Sequence, residues 1–220
     1  MKSNAKSRGG RPWTFDRDQA LELAMRMFWR HGYEGVSIAD LTKAMGIAAP
    51  SLYAAFGSKA ALYREALDRY ERDFGSLSVA PAGATAPLAE VVRTLLQGAA
   101  RAVTDPFRER GCMVSSGMIT SHPEHAEIAL DLAGRRQAIR RKIGAALAPY
   151  GDTAQLRALA RHLAAVMVGM SSLARDGATL AELNEIVADV VAGVEARDLD
   201  TVTIASPTSQ LSAASWRPSS

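Results

Sequence analysis

The chain has 220 residues, of which 48% are hydrophobic and 22% charged, and its formal net charge is +3. This length favours two domains, and the apolar fraction is large enough to build their cores. The sequence has no apolar run of membrane-spanning length, no apolar segment after its basic start as in a signal peptide, and a single cysteine that cannot form an intrachain disulfide. Membrane and disulfide-stapled secreted proteins are therefore disfavoured, and we expect a cytoplasmic protein.

The positive charge is concentrated near the start of the chain. Residues 1–72 contain twelve Lys and Arg against eight Asp and Glu, whereas the remainder contains fourteen against fifteen. Residues 1–14 carry four basic side chains, including Arg8 and Arg11, and no acidic one. We expect this segment to be a flexible basic arm that follows the phosphate backbone of DNA or enters its minor groove. A solvated, purely solubilising tail is the alternative.

Two amphipathic helices are predicted to share one core. The first runs from about residue 16 to Gly32, and the second begins at Ser58 and Lys59 and ends near Gly75. Each has apolar residues at helical spacing on one face. The first contributes Ala20, Leu23, Ala24, Met27 and Phe28; the second contributes Leu62, Ala66, Leu67 and Tyr70.

Between them, residues 37–56 predict two short helices joined by a tight turn. Ser37 is a helix N-cap with Asp40 at capping-box spacing, and Gly46 suits the left-handed conformation that ends a helix. Pro50 suits the first turn of the second helix. That helix turns Leu52 and Phe56 inward and presents Ser51, Tyr53 and Ala54 outward. It therefore has the form of a helix that enters the major groove of DNA, although an ordinary helical hairpin is the alternative.

Two longer motifs support the DNA-binding interpretation. The first is A-x-x-x-F-x-x-x-G-Y-x-G-x-S-I-A-D-L at 24–41, and the second is S-L-Y-x-x-F-G-S-K-x-A-L-Y at 51–63. In this order and spacing they are a specific signal. Through them, residues 20–67 closely resemble the N-terminal domain of the TetR/AcrR family of transcriptional regulators.

The resemblance implies an all-α protein with two domains. A helix-turn-helix DNA-binding domain would occupy 15–75, and a helical ligand-binding and dimerisation domain would occupy 88–196. The breaker-rich stretch 76–87 between them is a predicted linker. The segment 197–220 is rich in Ser, Thr, Pro and Ala and is expected to be a disordered tail. The implied function is a transcription regulator, in the simplest case a repressor that binds double-stranded operator DNA and is released by a small molecule.

The resemblance also assigns DNA contacts. Tyr53 and Lys59 match family positions that hold phosphates, and such contacts position a protein without reading the sequence. Ala49, Ser51 and Ala54 are candidates for contacts with bases; Ser37 and Thr42, on the first helix of the pair, complete the expected DNA-facing set. Many relatives have His or Tyr after the Leu-Tyr pair, where this chain has two alanines, and alanine offers only a methyl contact to a base.

After the linker, helices are predicted at 88–103, 112–120, 124–147, 153–175 and 180–195. The resemblance implies that the first three enclose an effector cavity. The expected lining is mostly apolar and indicates a small apolar effector, although each residue is also compatible with ordinary core packing. It comprises Leu95, Phe107, Cys112, Met113, Met118, Ile119, His122, Met167 and Met170.

Cys112 suggests a second type of effector. It would open the short helix at 112–120 beside Arg108 and Arg110, and both a helix N-terminus and positive charge stabilise a thiolate. The Gly-Cys-apolar-apolar element resembles one in a TetR subgroup, some of whose members respond to electrophiles or oxidants. A thiol sensor is therefore one hypothesis, and a small buried packing residue is the other.

The last two predicted helices are apolar around most of their circumference. A helix that is apolar all round must be buried on all sides. The resemblance implies that these helices form a four-helix bundle with the same helices of a second copy. The two DNA-binding domains of such a dimer would face an inverted-repeat operator. The expected interface residues are Leu163, Val166, Gly169, Leu183, Ile186, Val187, Val190 and Val194.

No enzyme constellation is visible in the sequence. His122 and His125 are spaced like possible metal ligands, but no further Cys or His completes a site, and histidines at the start of a helix are more often capping or surface residues. We therefore expect no catalytic residue, no metal and no cofactor. Two other classes remain open, namely a helical small-molecule binder or enzyme without DNA function and an architectural DNA-binding protein without a ligand.

Overall fold

The computed structural model describes residues 15–75 and 86–197, and within these ranges it is all-α, as predicted. The arm at 1–14, most of the linker and the tail from 198 onward lie outside the described residues. Two one-turn 3-10 helices, Pro123–His125 and Ala148–Tyr150, flank α6. The α-helices are α1 Arg17–His31, α2 Ile38–Met45, α3 Ala49–Phe56, α4 Lys59–Asp73, α5 Leu88–Val103, α6 Ala126–Leu147, α7 Ala154–Arg175 and α8 Leu180–Glu195.

The helix ends of the N-terminal part follow from local chemistry. Asp16 caps α1 by accepting hydrogen bonds from two backbone amides of the first turn. Ser37 and Asp40 form the predicted capping box at the start of α2. Gly46 adopts the left-handed conformation, with φ of 67°, and ends α2 before the turn into α3.

The first hydrophobic core forms where α1 packs against α4, with α2 and α3 completing it. Most predicted core residues are buried, but Leu23 and Met27 of α1 are only half-buried. Their expected places are taken by Leu21, Met25 and Trp29. The buried face of α1 is rotated because this helix also packs against the chain after residue 111, which periodicity within α1 does not reveal.

The second core surrounds α5. This helix packs against α7 and α8, and α6 packs against α7. The two cores are in contact through Cys112 and Ile139, which touch both. Met113, Val114, Ile128 and Leu132 belong to the first core although they follow the predicted domain boundary, so the early part of α6 is packed onto the N-terminal domain.

The predicted helix at 112–120 is absent. Turns occupy this stretch, with left-handed backbone at Gly111 (φ 78°) and Met118 (φ 50°). A Cβ on Gly117 would lie 2.4 Å from the carbonyl oxygen of Met113, so the observed turn requires a glycine there.

Long-range hydrogen bonds satisfy the backbone of this turn segment in place of a helix. The Nη1 of Arg136 donates to the carbonyl oxygens of Val114 (3.3 Å) and Gly117 (2.7 Å). The backbone N–H of Cys112 donates to the Oγ of Ser171 at 2.8 Å. A buried backbone group needs a partner, and here side chains of α6 and α7 supply it. None of the described helices is long and apolar enough to cross a membrane.

Candidate nucleic-acid interface and ligand cavity

Helix α3 presents a small exposed surface. Leu52 and Phe56 are buried in the first core, as predicted, which fixes the opposite side of the helix toward solvent. Tyr53 is 47% exposed, and Ala54 is also exposed. No side chain caps the N-terminus of α3, so its first amide groups are not engaged by a cap.

The other predicted DNA-facing residues surround α3. Ala49 and Ser51 are half-buried on α3 itself. The hydroxyl of Ser37 is engaged in the capping box, and the hydroxyl of Thr42 donates to backbone carbonyls one turn earlier in α2. Arg8 and Arg11 lie outside the described residues. The structure thus places the described candidates on α2, α3 and the start of α4.

Lys59 begins α4 with its ammonium group held on an aromatic ring. Its Nζ lies 4.2 Å from the ring centroid of Tyr33, which is a cation–π contact. Burial lowers the pKa of Lys59, while the nearby carboxylates of Glu34 and Asp40 act in the opposite direction. The contact restricts where the ammonium group lies at the start of the helix.

Arg17 fixes α3 to its neighbours, a role that sequence reasoning missed. Its Nη2 binds both carboxylate oxygens of Glu65 on α4, at 2.9 and 2.8 Å. Its Nε and Nη2 lie 3.3 Å from the carbonyl oxygen of Ala55, near the end of α3, and its guanidinium lies 4.5 Å from the centroid of the Phe56 ring. One side chain of α1 therefore holds α3 against α4. No local sequence pattern predicts such a contact.

A cavity of about 480 Å³ lies where the two cores meet, a volume typical of a site for a drug-sized ligand. Its walls come from α1, α4, α5, α6, α7 and the turn segment. Just over half of the lining residues are aromatic or aliphatic, and most of the others are charged. The larger apolar members are Trp29, Tyr70, Phe74, Leu95, Val103, Val114, Ile139, Met167 and Met170.

The structure brings four of the nine predicted pocket residues to this cavity, namely Leu95, Cys112, Met167 and Met170. The other five do not line it. Met113 is buried in the first core and Met118 packs against it, whereas Phe107 and Ile119 are 88% and 62% exposed. His122 caps the 3-10 helix that precedes α6. Met113, Met118 and Ile119 were expected on a helix at 112–120, and the turns found there point these three side chains elsewhere.

Three aromatic residues of the N-terminal domain were not expected in the cavity. Trp29 comes from α1, Tyr70 from α4, and Phe74 from the position that ends α4. The aromatic pair at i and i+4 near the end of α4 was the available signal. These residues make the cavity an interdomain site.

Cys112 is a partly buried cavity residue, not the start of a helix. Its Sγ accepts a hydrogen bond from the hydroxyl of Tyr70 at 3.2 Å and from the backbone N–H of Ser115 at 3.3 Å. Burial is the main cause that raises the pKa of Tyr70, which keeps the phenol protonated and able to donate.

The arginines expected to activate the thiol have other partners. Arg108 pairs with Asp105, and Arg110 donates to two carbonyl oxygens near the end of α7. Cys112 therefore lacks the helix N-terminus, and both arginines are engaged elsewhere, so the thiol-sensor hypothesis is not favoured.

The apolar character of α7 and α8 is partly explained within one protomer. Leu163, Leu183, Val187 and Val194 are buried in the second core, which α5 completes. The remaining predicted interface residues are more accessible: Val166, Ile186 and Val190 are half-buried and Gly169 is exposed. Leu173 and Leu180 are exposed large apolar side chains on the same two helices.

The two histidines near α6 have structural contacts. The ring nitrogen of His122 accepts a hydrogen bond from the backbone N–H of Glu124, and the ring of His125 packs edge-on against Tyr33 at 5.0 Å between centroids. Among the residues that the structure describes, no group of three or more His, Cys, Asp or Glu side chains is placed to hold a metal ion.

The capped α2, the turn at Gly46 and the outward-facing α3 define a helix-turn-helix transcription regulator. Comparison with known proteins identifies the family. Residues 20–66 match the family described as bacterial regulatory proteins, tetR family. The chain is 36% identical over 191 residues to the transcriptional repressor ComR of Escherichia coli (strain K12). This alignment covers 82% of this chain and 89% of ComR. The chain therefore belongs to the TetR family.

Other relatives agree. The repressor BdcR of Escherichia coli (strain K12) is 31% identical over 177 residues, covering 79% of this chain and 86% of BdcR. Among solved structures, the TetR family regulator CifR, a cysteine mutant in complex with 26-base-pair operator DNA, has a TM-score of 0.74 at 36% identity and covers 83% of this chain and 98% of its own. The regulator SCO4454 of Streptomyces coelicolor has a TM-score of 0.65 at 25% identity, covering 84% and 95%.

Proposed function

We propose that this protein is a repressor that binds an inverted-repeat operator as a homodimer and leaves it when a small, mostly apolar molecule occupies the interdomain cavity. Two similar proteins are named repressors, and a third was solved on operator DNA. The observation that carries the proposal is that α1 and α4, which hold the DNA-facing α3, also form walls of the cavity. This role is non-catalytic and belongs in the cytoplasm, where the DNA is.

In the proposed complex, α3 enters the major groove. The hydroxyl of Tyr53 and the ammonium group of Lys59 contact phosphates, and Arg8 and Arg11 follow the backbone or the minor groove. Ala49, Ser51 and Ala54 face bases, while Ser37 and Thr42 lie at the edge of the contact. The small side chains at these positions favour van der Waals contact with bases, for example with thymine methyl groups.

The proposed dimer uses the accessible part of α7 and α8. Val166, Gly169, Ile186 and Val190 are the predicted interface residues that the protomer leaves partly or fully accessible. A two-fold axis between the copies places two α3 helices one helical turn of DNA, or a multiple, apart. The operator would then be an inverted repeat.

Lys59→Ala tests the DNA-binding assignment. An operator is first selected from random duplexes with the full chain, and its affinity is then measured by fluorescence anisotropy at several salt concentrations. Loss of one phosphate contact should reduce the slope of log affinity against log salt by about one unit. Binding to unrelated duplexes should weaken to a similar degree, because phosphate contacts carry no sequence information.

Arg141→Ala is the matched control, because it removes one positive charge from an exposed residue of α6, away from α3. We expect its salt slope to equal that of the wild type. Equal slopes for Lys59→Ala and wild type would refute the assignment of Lys59. Failure of the chain to enrich any duplex would refute the proposed function itself.

A further inference from the structure

The charged side chains around the cavity are unevenly balanced. Four basic residues and two acidic residues contribute to its lining. The basic residues are Arg101, Arg108, Arg135 and Lys142, and the acidic residues are Glu71 and Asp73. Which of these charges are available to a ligand depends on the ion pairs they already make.

Arg135 is fully engaged by carboxylates. It binds Asp68 and Glu71 at 2.7 Å each and Asp131 at 3.2 Å. These ion pairs and hydrogen bonds raise the pKa of Arg135 against the opposing effect of its burial, so the guanidinium remains charged. Glu71, one of the two cavity carboxylates, is used in this cluster. Neither group is free to bind a ligand charge.

The second carboxylate and a second arginine are also paired. Asp73 lies 3.4 Å from Arg69 and 3.2 Å from Arg72. Arg108 binds Asp105 at 2.9 Å and stacks on the ring of Phe74, with 4.7 Å from its guanidinium carbon to the ring centroid. A cationic ligand would therefore find no unpaired carboxylate among the cavity residues.

Arg101 and Lys142 remain. Arg101 stands in the last turn of α5, and Lys142 stands toward the end of α6. Both are exposed cavity residues, and in the described part of the chain neither makes an ion pair. Two positive charges thus line the cavity without an ion-pair partner among the residues that the structure describes.

We propose that the ligand of this cavity is an amphipathic anion. Its apolar body lies among the aromatic and aliphatic walls, and its carboxylate or comparable anionic group is held at the solvent-accessible edge by Arg101 and Lys142. Charge-assisted hydrogen bonds to an anion would give these two cations a partner that the described residues do not supply. The regulatory consequence rests on the proposed function, but the binding of the anion does not.

The test uses matched probes that differ only in the head group. Octanoate, octanol and octylamine share one apolar body, and phenylbutyrate with phenylbutanol supplies a second. Binding to the full chain without DNA is measured by calorimetry at low and high salt. Within each set the carboxylate should bind most tightly, and high salt should weaken its binding while leaving the alcohol nearly unchanged. Octylamine should be the weakest of its set.

Two variants assign the head-group site. Arg101→Gln and Lys142→Gln should each reduce carboxylate affinity about three- to tenfold, with little change for the alcohols. Arg141→Gln is the matched control, because this neighbour on α6 is exposed and does not line the cavity. It should behave as the wild type.

The proposal is overturned if the alcohols or octylamine bind the wild type as tightly as the carboxylates, if Arg141→Gln weakens binding as much as the cavity variants do, or if no probe binds. Release of operator DNA is measured separately. Carboxylates that bind through Arg101 and Lys142 but leave operator affinity unchanged would support the anion site and refute the effector role. If the alcohols bound best and released DNA, the anion site would be refuted and the effector role of the cavity supported.

Discussion

Trp29→Phe tests how α1 holds the start of the turn segment. The Nε1 of Trp29 donates to the carbonyl oxygen of Gly111 at 2.9 Å, and its buried ring packs edge-on against Tyr70 at 4.7 Å between centroids. Phenylalanine removes the donor and leaves the carbonyl without this partner, at a cost of roughly 1–3 kcal/mol. The smaller ring costs about 1–2 kcal/mol more in lost burial and cavity formation. We expect the free energy of unfolding to fall by about 2–4 kcal/mol.

The measurement is urea unfolding followed by helical circular dichroism. The protomer concentration is held fixed, because self-association would add to the apparent stability. Tyr70→Phe is the control from the same cluster, since it deletes only the hydroxyl that donates to Cys112, and it should cost about 1 kcal/mol. If Trp29→Phe were no more destabilising than Tyr70→Phe, the bond to Gly111 would not be a main support of the turn segment.

Two glycines offer further tests, because a Cβ built at either Gly169 or Gly98 meets no atom within 4 Å. Gly169→Arg should therefore leave the protomer folded but dissociate the proposed dimer by burying an unpaired charge, and sedimentation at micromolar concentration would reveal it. Gly134→Arg, equally uncrowded on α6, is the control; an intact dimer in both variants would contradict the interface. Gly98→Leu should fill the cavity and weaken the binding of octanoate and octanol to a similar degree. It should also raise the melting temperature, because leucine has a better helix propensity than glycine. Unchanged octanol affinity would argue against this cavity as the binding site.

The sequence predicted best those elements whose ends depend on nearby residues. The capping box at Ser37 and Asp40 and the left-handed Gly46 follow from side chains within one helical turn, and the structure has them as expected. The bounds of α5 and α8 are also those predicted, at 88–103 and 180–195. Local rules suffice there because caps and breakers decide where such helices begin and end.

The prediction of a helix at 112–120 was wrong because this segment depends on residues that are distant in sequence. Its apolar spacing is compatible with a short helix, but its backbone is held by Arg136 from α6 and by Ser171 from α7. These partners are distant in sequence and no local pattern marks them. The expected lining changed with it, since Met113, Met118 and Ile119 were placed on that helix and none of them lines the cavity.

The predicted dimer helices show the limit of an argument from amphipathicity alone. Their wide apolar surface correctly indicated burial on several sides. Leu183, Val187 and Val194 nevertheless obtain that burial from their own protomer. Periodicity gives the width of an apolar face but not the identity of what covers it.

The cavity and the DNA-facing helix are joined by a short chain of contacts. The cavity wall includes Trp29 and Tyr70, whose polar atoms bind Gly111 and Cys112 of the turn segment. The backbone carbonyl of Trp29 also accepts a hydrogen bond from Arg175 of α7 at 2.9 Å. The same α1 and α4 carry the Arg17 contact that fixes the end of α3.

A ligand therefore meets the side chains that tie α1 and α4 to the turn segment. It alters the position of α3 only if it binds more tightly to an arrangement of these helices other than the operator-bound one. Linkage then requires that operator DNA weaken ligand binding by the same factor by which the ligand weakens operator binding. Equal factors, measured in the two directions on the same protein, would be the quantitative signature of the proposed release.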